Sequence, residues 1–311
     1  MNNYLRYILA CALTVALVLT VNAQTRSLPP SFQTLLKSPG MRHATVTLEI
    51  ARLPQKQVNA PQNSFTTIYE FDSQRLMIPA SVMKLVTTAT ALRLLGGDYV
   101  LPDSVALIDT AQQVLPGLEA YNPDWLIEDI GEDYIPPLQN LLPDSGRVLR
   151  DVVRDTNVES LNNQAETLLR LLRSDCRLDS ALLIVSDYWK ERGLDTESLI
   201  MYDGCGLAPK DRVTSHFIIQ LLAEMQFDAD FVNSLPIVGK EGTVRRFLLK
   251  SRLAGAGRLK TGTLKTTVAY AGYLKGTDSK AYAVSIFVNN FTCKTQEVRK
   301  GIEKVLLSLI P

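Results

Sequence analysis

Three short patterns could together carry one reaction: Ser81-Val82-Met83-Lys84, Ser160-Leu161-Asn162 and Lys260-Thr261-Gly262, each present once and in that order. A serine hydroxyl is a poor nucleophile until a base removes its proton. Lys84, one helical turn from Ser81, is the nearest base, provided that it is neutral part of the time. An ordinary lysine titrates near 10.4, and each unit of depression costs about 1.36 kcal/mol. Burial and a positive Lys260 nearby are both expected to push Lys84 down. Ser160 can then relay a proton to a leaving group, and Asn162 can hydrogen-bond a substrate amide. Lys260 and Thr261 suit a carboxylate, and Gly262 lets a strand edge approach a substrate backbone. The backbone N–H groups of Ser81 and Thr263 are the expected oxyanion donors.

Singly, these patterns are weak. A two-residue match such as S-x-x-K or S-x-N arises by chance about once in a chain of this length, and Lys-Thr-Gly at roughly a tenth of that rate. Each also has a plain structural reading: a helix-start serine with an exposed lysine, an Asn-rich turn, and a polar strand end. Order, single occurrence and context favour the chemical reading.

The elements that must position these residues are legible in outline. Thr45 to Leu53 alternates Val46, Leu48 and Ile50 with polar residues and predicts a strand, as does Thr66 to Phe71. Pro79 opens a helix whose first turn holds Ser81 and which runs from Val82 to Leu95, stopping at Gly96-Gly97. Apolar residues nearly all round it mark a buried central helix. Val148, Leu149, Val152 and Val153 form another helical face, with a break expected at Thr156-Asn157. Ser160 therefore falls between two helices, and Asn163 with Glu166 resembles a capping pair opening the second. Leu178 to Arg192 predicts a further helix, closed by Gly193.

Strands are expected at Arg258 to Leu264, Val268 to Leu274 and Ala281 to Val288, followed by an amphipathic helix from Gln296 to Ile310. Short links imply an antiparallel sheet. The expected class is α/β (α+β): a sheet covered by helices, plus a helical lobe, with the three patterns meeting in the cleft between them.

Composition excludes several classes. The chain has 311 residues, 46% hydrophobic and 21% charged, with a formal charge of +1, so no nucleic-acid partner is implied. Two histidines, His43 and His216, leave little room for Ser-His-Asp chemistry or histidine-ligated zinc. No cofactor is expected. Residues 1–23 read as a cleaved secretory signal: Arg6 is the lone charged side chain, Ile8 to Val21 is apolar, and Val21-Asn22-Ala23 is a small-residue cleavage site. That apolar run is too short to span a bilayer comfortably, which disfavours an uncleaved anchor. Residues 24–311 would form one domain, located in the periplasm or cell envelope. With Cys11 lost in the signal, Cys176, Cys205 and Cys293 allow at most one bridge. Residues 97–146 hold ten carboxylates, six prolines and no Lys or Arg, and are expected to form an inserted irregular lobe with a solvated acidic surface. A divalent-metal cluster is the alternative there.

The ordered trio of patterns is shared by penicillin-binding proteins and class A β-lactamases. Beyond it, the chain resembles the serine D-Ala-D-Ala carboxypeptidase/endopeptidase family, the low-molecular-mass penicillin-binding group with an insertion after the nucleophile. The resemblance rests on Ile78-Pro79-Ala80-Ser81 with Met83-Lys84-Leu85, and on Asp203-Gly204-Cys205-Gly206-Leu207 ahead of Arg212-Val213-Thr214. Ser234-Leu235-Pro236 with Gly239 and Gly242-Thr243, and Lys260-Thr261-Gly262-Thr263 ahead of Ala271-Gly272-Tyr273, add to it. Cys205 stands where the family usually has Ser, and Leu161 where it has Asp or Asn. The 76 positions from Lys84 to Ser160 are fewer than usual, so the insertion is shortened. Asn122-Pro123-Asp124-Trp125 with Glu128-Asp129-Ile130-Gly131 still resembles part of it.

The resemblance implies a β-lactamase/transpeptidase-like fold, peptidoglycan peptides as substrates and β-lactam antibiotics as inhibitors. It implies an acyl-enzyme on Ser81, with Lys84, Ser160, Asn162 and Lys260 catalytic and Thr261, Gly262 and Thr263 binding substrate. Two other readings stand beside it. A β-lactamase or esterase would need a dedicated group to activate water, and a non-catalytic wall-binding relative would not need Ser81, Lys84, Ser160 and Lys260 intact.

Overall fold

The computed structural model describes residues 26–55, 64–102, 146–173 and 178–311. The expected signal segment, Cys176 and most of the acidic segment lie outside them. A short helix that the sequence pattern does not suggest, α1 (Pro30–Leu36), is the first element among the described residues, with a proline at its start where the missing N–H does no harm. Strands β1 (Thr45–Arg52) and β2 (Thr66–Phe71) follow, then a 3₁₀ turn (Ala80–Val82) leading into α2 (Met83–Leu95). The central helices are α3 (Leu149–Val158), α4 (Asn162–Arg170) and α5 (Leu178–Glu191). A two-stranded pair, β3 (Leu199–Ile200) with β4 (Arg212–Val213), precedes α6 (Ser215–Met225) and α7 (Ala229–Ser234). Strands β5 (Gly257–Leu264), β6 (Thr267–Lys275) and β7 (Ala281–Asn289) lead to α8 (Thr295–Leu309).

The five-stranded sheet has the order β2-β1-β7-β6-β5, and every neighbouring pair is antiparallel, as the short links required. Strand β5, which carries Lys260, is an edge. Two apolar cores lie on opposite faces. One gathers Val46, Leu48, Ile50, Tyr270 and Ile286 with Ile302 and Leu306 of α8. The other gathers Ala269, Ala271 and Phe287 with Leu85 and Val86 of α2 and Phe217 and Leu221 of α6. Small residues on β6 let this second layer sit close.

Strand β1 departs from the simple alternation. Its polar positions Thr47 and Glu49 are buried too, because α6 covers that face. Each has a partner there: the Thr47 and Ser215 hydroxyls lie 2.6 Å apart, and Glu49 bonds His216 Nδ1 at 3.0 Å and Thr67 Oγ1 at 2.7 Å. The polar residues of the alternation are therefore a satisfied buried layer.

Helix α2 is buried as expected, and its threonines are satisfied internally. Thr88 donates to the Lys84 carbonyl, while Asn157 Nδ2 donates to Thr88 Oγ1 and Ser234 Oγ. The break expected around Thr156-Asn157 falls just after them: α3 ends at Val158, and the Thr156 hydroxyl is satisfied within the helix by the Val152 carbonyl. The capping pair is also corrected. Helix α4 starts at Asn162, no side chain caps it, and Glu166 turns away to accept the Gly204 N–H. The two roots of the acidic segment meet in a bridge between Val100 and Val148, so the chain leaves and returns at one place. No helix among the described residues is long and apolar enough to cross a membrane. Cys205 and Cys293 are both free thiols.

Candidate active site

Ser81 sits in the 3₁₀ turn at the foot of α2, on a segment fixed from three sides. Ala80 before it holds a positive φ of 46°, a conformation costing a non-glycine residue roughly 1–2 kcal/mol. Neighbours enforce it. Asn289 at the end of β7 clamps Ile78 through both its amide atoms, accepting from N–H at 2.8 Å and donating to C=O at 3.2 Å. Gly206 presses on the Ala80 carbonyl, and Gly262 of β5 presses on the Pro79 carbonyl, so closely in each case that a Cβ would collide. Gly262 was expected to make room for substrate. Its tightest contact is with the segment that carries Ser81.

Lys84 is wholly buried. Its Nζ donates to Ser81 Oγ at 2.9 Å, to Asn162 Oδ1 at 2.6 Å and to the Cys205 carbonyl at 2.9 Å. Helix α2, the start of α4 and the Asp203 loop thus converge on one nitrogen. With its oxygen committed to Lys84, Asn162 is left its NH₂ for a substrate carbonyl.

Ser160 occupies the tight link between α3 and α4 with a positive φ of 62°. Its hydroxyl accepts from Lys260 Nζ at 2.8 Å, and Lys260 also donates to the Thr261 carbonyl at 3.1 Å. Burial, and then the nearby charge of Lys84, hold Lys260 well below the usual lysine range. Thr261 donates to Thr243 Oγ1 at 2.9 Å. The Leu259 N–H points away from β6, to the Pro236 carbonyl at 3.1 Å. The two-residue period of a strand then directs the amides of Thr261 and Thr263 to the same open edge. That geometry suits Thr263 as an oxyanion donor. All eight expected site residues therefore lie on elements that meet at this cleft.

An acidic layer supports the loop that touches Lys84. Asp203 accepts from four successive amides: Cys205 and Gly206 on Oδ1, Leu207 and Ala208 on Oδ2. Burial, reinforced by Asp203, pushes Glu166 up to about 7 and Asp211 up to about 9. Both therefore hold protons at neutral pH or near it, which limits the negative charge beneath the loop. Glu166, Asp203 and Cys205 offer three ligand atoms close enough for a metal ion. The oxygens of Asp203 are nevertheless filled by amides, and a proton satisfies Glu166 equally well. Sequence reasoning gave no role to the Cys205 carbonyl, Thr243 or Asn289. The segments containing the first two had been noticed only as resemblance, and a backbone carbonyl leaves no mark on residue type.

Comparison with known proteins agrees with this geometry. A family model described as "D-Ala-D-Ala carboxypeptidase 3 (S13) family" matches residues 45–113 and 138–309. The D-alanyl-D-alanine carboxypeptidase of Actinomadura sp. (strain R39) is 29% identical over 143 residues, 42% of this chain and 26% of that protein. The chain thus matches about a quarter of the length of that curated relative. Penicillin binding protein 4 of Haemophilus influenzae, solved in complex with a β-lactam, aligns with a TM-score of 0.65 at 14% identity, covering 90% of this chain and 98% of that one. A β-lactamase from Chitinophaga pinensis gives 0.60 at 17% identity, covering 90% and 99%. At these identities the structures establish the fold, a β-lactamase/transpeptidase-like one. With its matched residues spanning the sheet, the central helices and all three patterns, the chain belongs to the D-Ala-D-Ala carboxypeptidase 3 (S13) family.

Proposed function

We propose that this chain is a serine D,D-peptidase that cleaves the D-Ala-D-Ala terminus, or the cross-links, of peptidoglycan peptides through an acyl-enzyme on Ser81. The observation that carries the reading is the pairing of Ser81 with a buried Lys84 beside a second pair, Ser160 with Lys260. In this mechanism neutral Lys84 takes the Ser81 proton as Oγ bonds to the penultimate D-Ala carbonyl carbon. The oxyanion is held by the N–H groups of Ser81 and Thr263. The C–N bond then breaks, and the leaving D-Ala nitrogen takes its proton from Lys84 through the Ser160 hydroxyl. Water attacks the resulting ester, restoring Ser81 and releasing the shortened peptide.

A β-lactam would enter the same path, since its strained amide offers the same carbonyl. Its leaving group stays tethered after ring opening, so the adduct is slow to leave. A β-lactamase on the same path would need, in addition, a dedicated group that activates water against this ester. The export reading of residues 1–23 fits such a substrate, since these peptides lie outside the cytoplasm, and we place the mature protein in the periplasm or cell envelope. Release of D-Ala from a peptide ending in D-Ala-D-Ala, lost in Ser81→Ala, tests the activity. An intact protein that neither releases D-Ala nor reacts with penicillin would instead be a wall-binding relative.

A further inference from the structure

We propose that Arg299 of the C-terminal helix is the residue that recognises the carboxylate next to the scissile bond, and so favours substrates that carry it free over those in which it is amidated. This rests on the peptidase reading for the identity of the ligand. The sequence pattern assigns the carboxylate to Lys260 with Thr261. In the structure Lys260 is wholly buried, directs two donors to Ser160 and the Thr261 carbonyl, and is held well below the usual lysine range. A charge so placed is poorly suited to be the fixed positive anchor of the cleft.

Arg299 is suited to that role. One of its terminal nitrogens donates to Thr263 Oγ1 at 3.0 Å, at the exposed end of the Lys260-Thr261-Gly262-Thr263 segment. Its Nε has no hydrogen-bond partner. Among the described residues no carboxylate forms an ion pair with it. Glu303, one turn further along the helix, directs Oε1 instead to the Leu248 amide at 2.7 Å. A guanidinium stays charged at any physiological pH and matches a carboxylate with two parallel N–H bonds.

The strand geometry supplies the rest of the subsite. Residues 261 and 263 share one face of β5, opposite Lys260 and Gly262. Because the Thr263 hydroxyl accepts from Arg299, its own hydrogen is available to donate. A carboxylate at this end of β5 would then meet a hydroxyl donor and a fixed positive charge from one side, with the scissile carbonyl one residue back at Ser81.

Binding to the unreactive Ser81→Ala protein separates this inference from catalysis. Calorimetric titration would compare an N-acetylated peptide ending in D-Ala-D-Ala with the same peptide bearing a C-terminal amide. We expect the acid to bind more tightly than the amide. Arg299→Ala and Arg299→Gln should each remove that preference, weakening the acid by about 10–100-fold and the amide little. Arg299→Lys should keep part of it. Thermal melts show whether each variant is folded, and the glutamine variant, which can still bond Thr263, serves if the alanine one is not. Acid preference persisting in a folded Ala or Gln variant, or equal weakening of both peptides, overturns the proposal. A parallel D-Ala release assay on the Ser81 protein keeps the two questions apart. If that assay fails while the Arg299-dependent preference holds, the peptidase reading falls and the carboxylate subsite stands.

Discussion

Gly262 of the edge strand lies against the Pro79 carbonyl, two residues before the nucleophile, with no room for a side chain between them. The residue in the third pattern with no functional group of its own thereby fixes where the residue of the first pattern stands. Gly262→Ala would force a methyl group into backbone, which cannot swing aside as a flexible side chain could. The expected result is a loss of about 1–3 kcal/mol of stability, together with slower acylation of Ser81. Thermal melts and fluorescent penicillin labelling read the two effects separately, and full labelling at the wild-type rate would contradict the account.

Lys84→Ala removes the proposed base and leaves the Asn162 and Cys205 oxygens without their shared donor. Acylation should fall by about 10²–10⁴-fold in a chain that still folds. Stopped-flow labelling measures this, and near wild-type hydrolysis of D-Ala-D-Ala peptides by the variant would remove the Ser/Lys mechanism.

Asp203→Ala should release the loop whose four amides it binds, and with it the Cys205 carbonyl that touches Lys84. Charge-assisted bonds to a buried carboxylate make the expected destabilisation on the order of 3 kcal/mol. Denaturant melts test this. A loss within a few tenths of a kcal/mol would mean that the loop is held by something else.

Stability should also depend on pH through His216. Its hydrogen bond to Glu49 raises its pKa in the folded state despite the opposing effect of burial. A raised folded pKa means that the pair's contribution is fully present below the unfolded histidine value, near 6.5, and fades as pH rises through the folded value. Melting temperature should therefore decline above about pH 6.5 more steeply in the wild type than in His216→Gln. Parallel profiles would show that the pair does not couple to folding.

Much of this was legible in the sequence because periodicity and turn residues agreed. Strand β2 matches its predicted span, and α2 ends at Leu95 with Gly96 after it, whose φ of 83° is a positive value that glycine adopts cheaply. The eight expected site residues are legible as types at fixed spacings. What failed had tertiary causes. The burial of Glu49 and Thr47 is not legible locally, because the Ser215 and His216 that partner them lie 167 or more positions away. The end of α3 falls at Val158, a residue past the expected break, within the usual uncertainty of helix ends. Arg299 carries no motif, and its place beside Thr263 depends on α8 lying against the sheet.

The central claim is a covalent acyl-enzyme on Ser81. Intact-mass spectrometry of the purified protein after mixing with benzylpenicillin tests it most directly. The account predicts one added drug mass, located by peptide mapping to the segment containing Ser81, absent in Ser81→Ala and stable for minutes or longer. Rapid consumption of penicillin with no trapped adduct, or an adduct on any other residue, would contradict it.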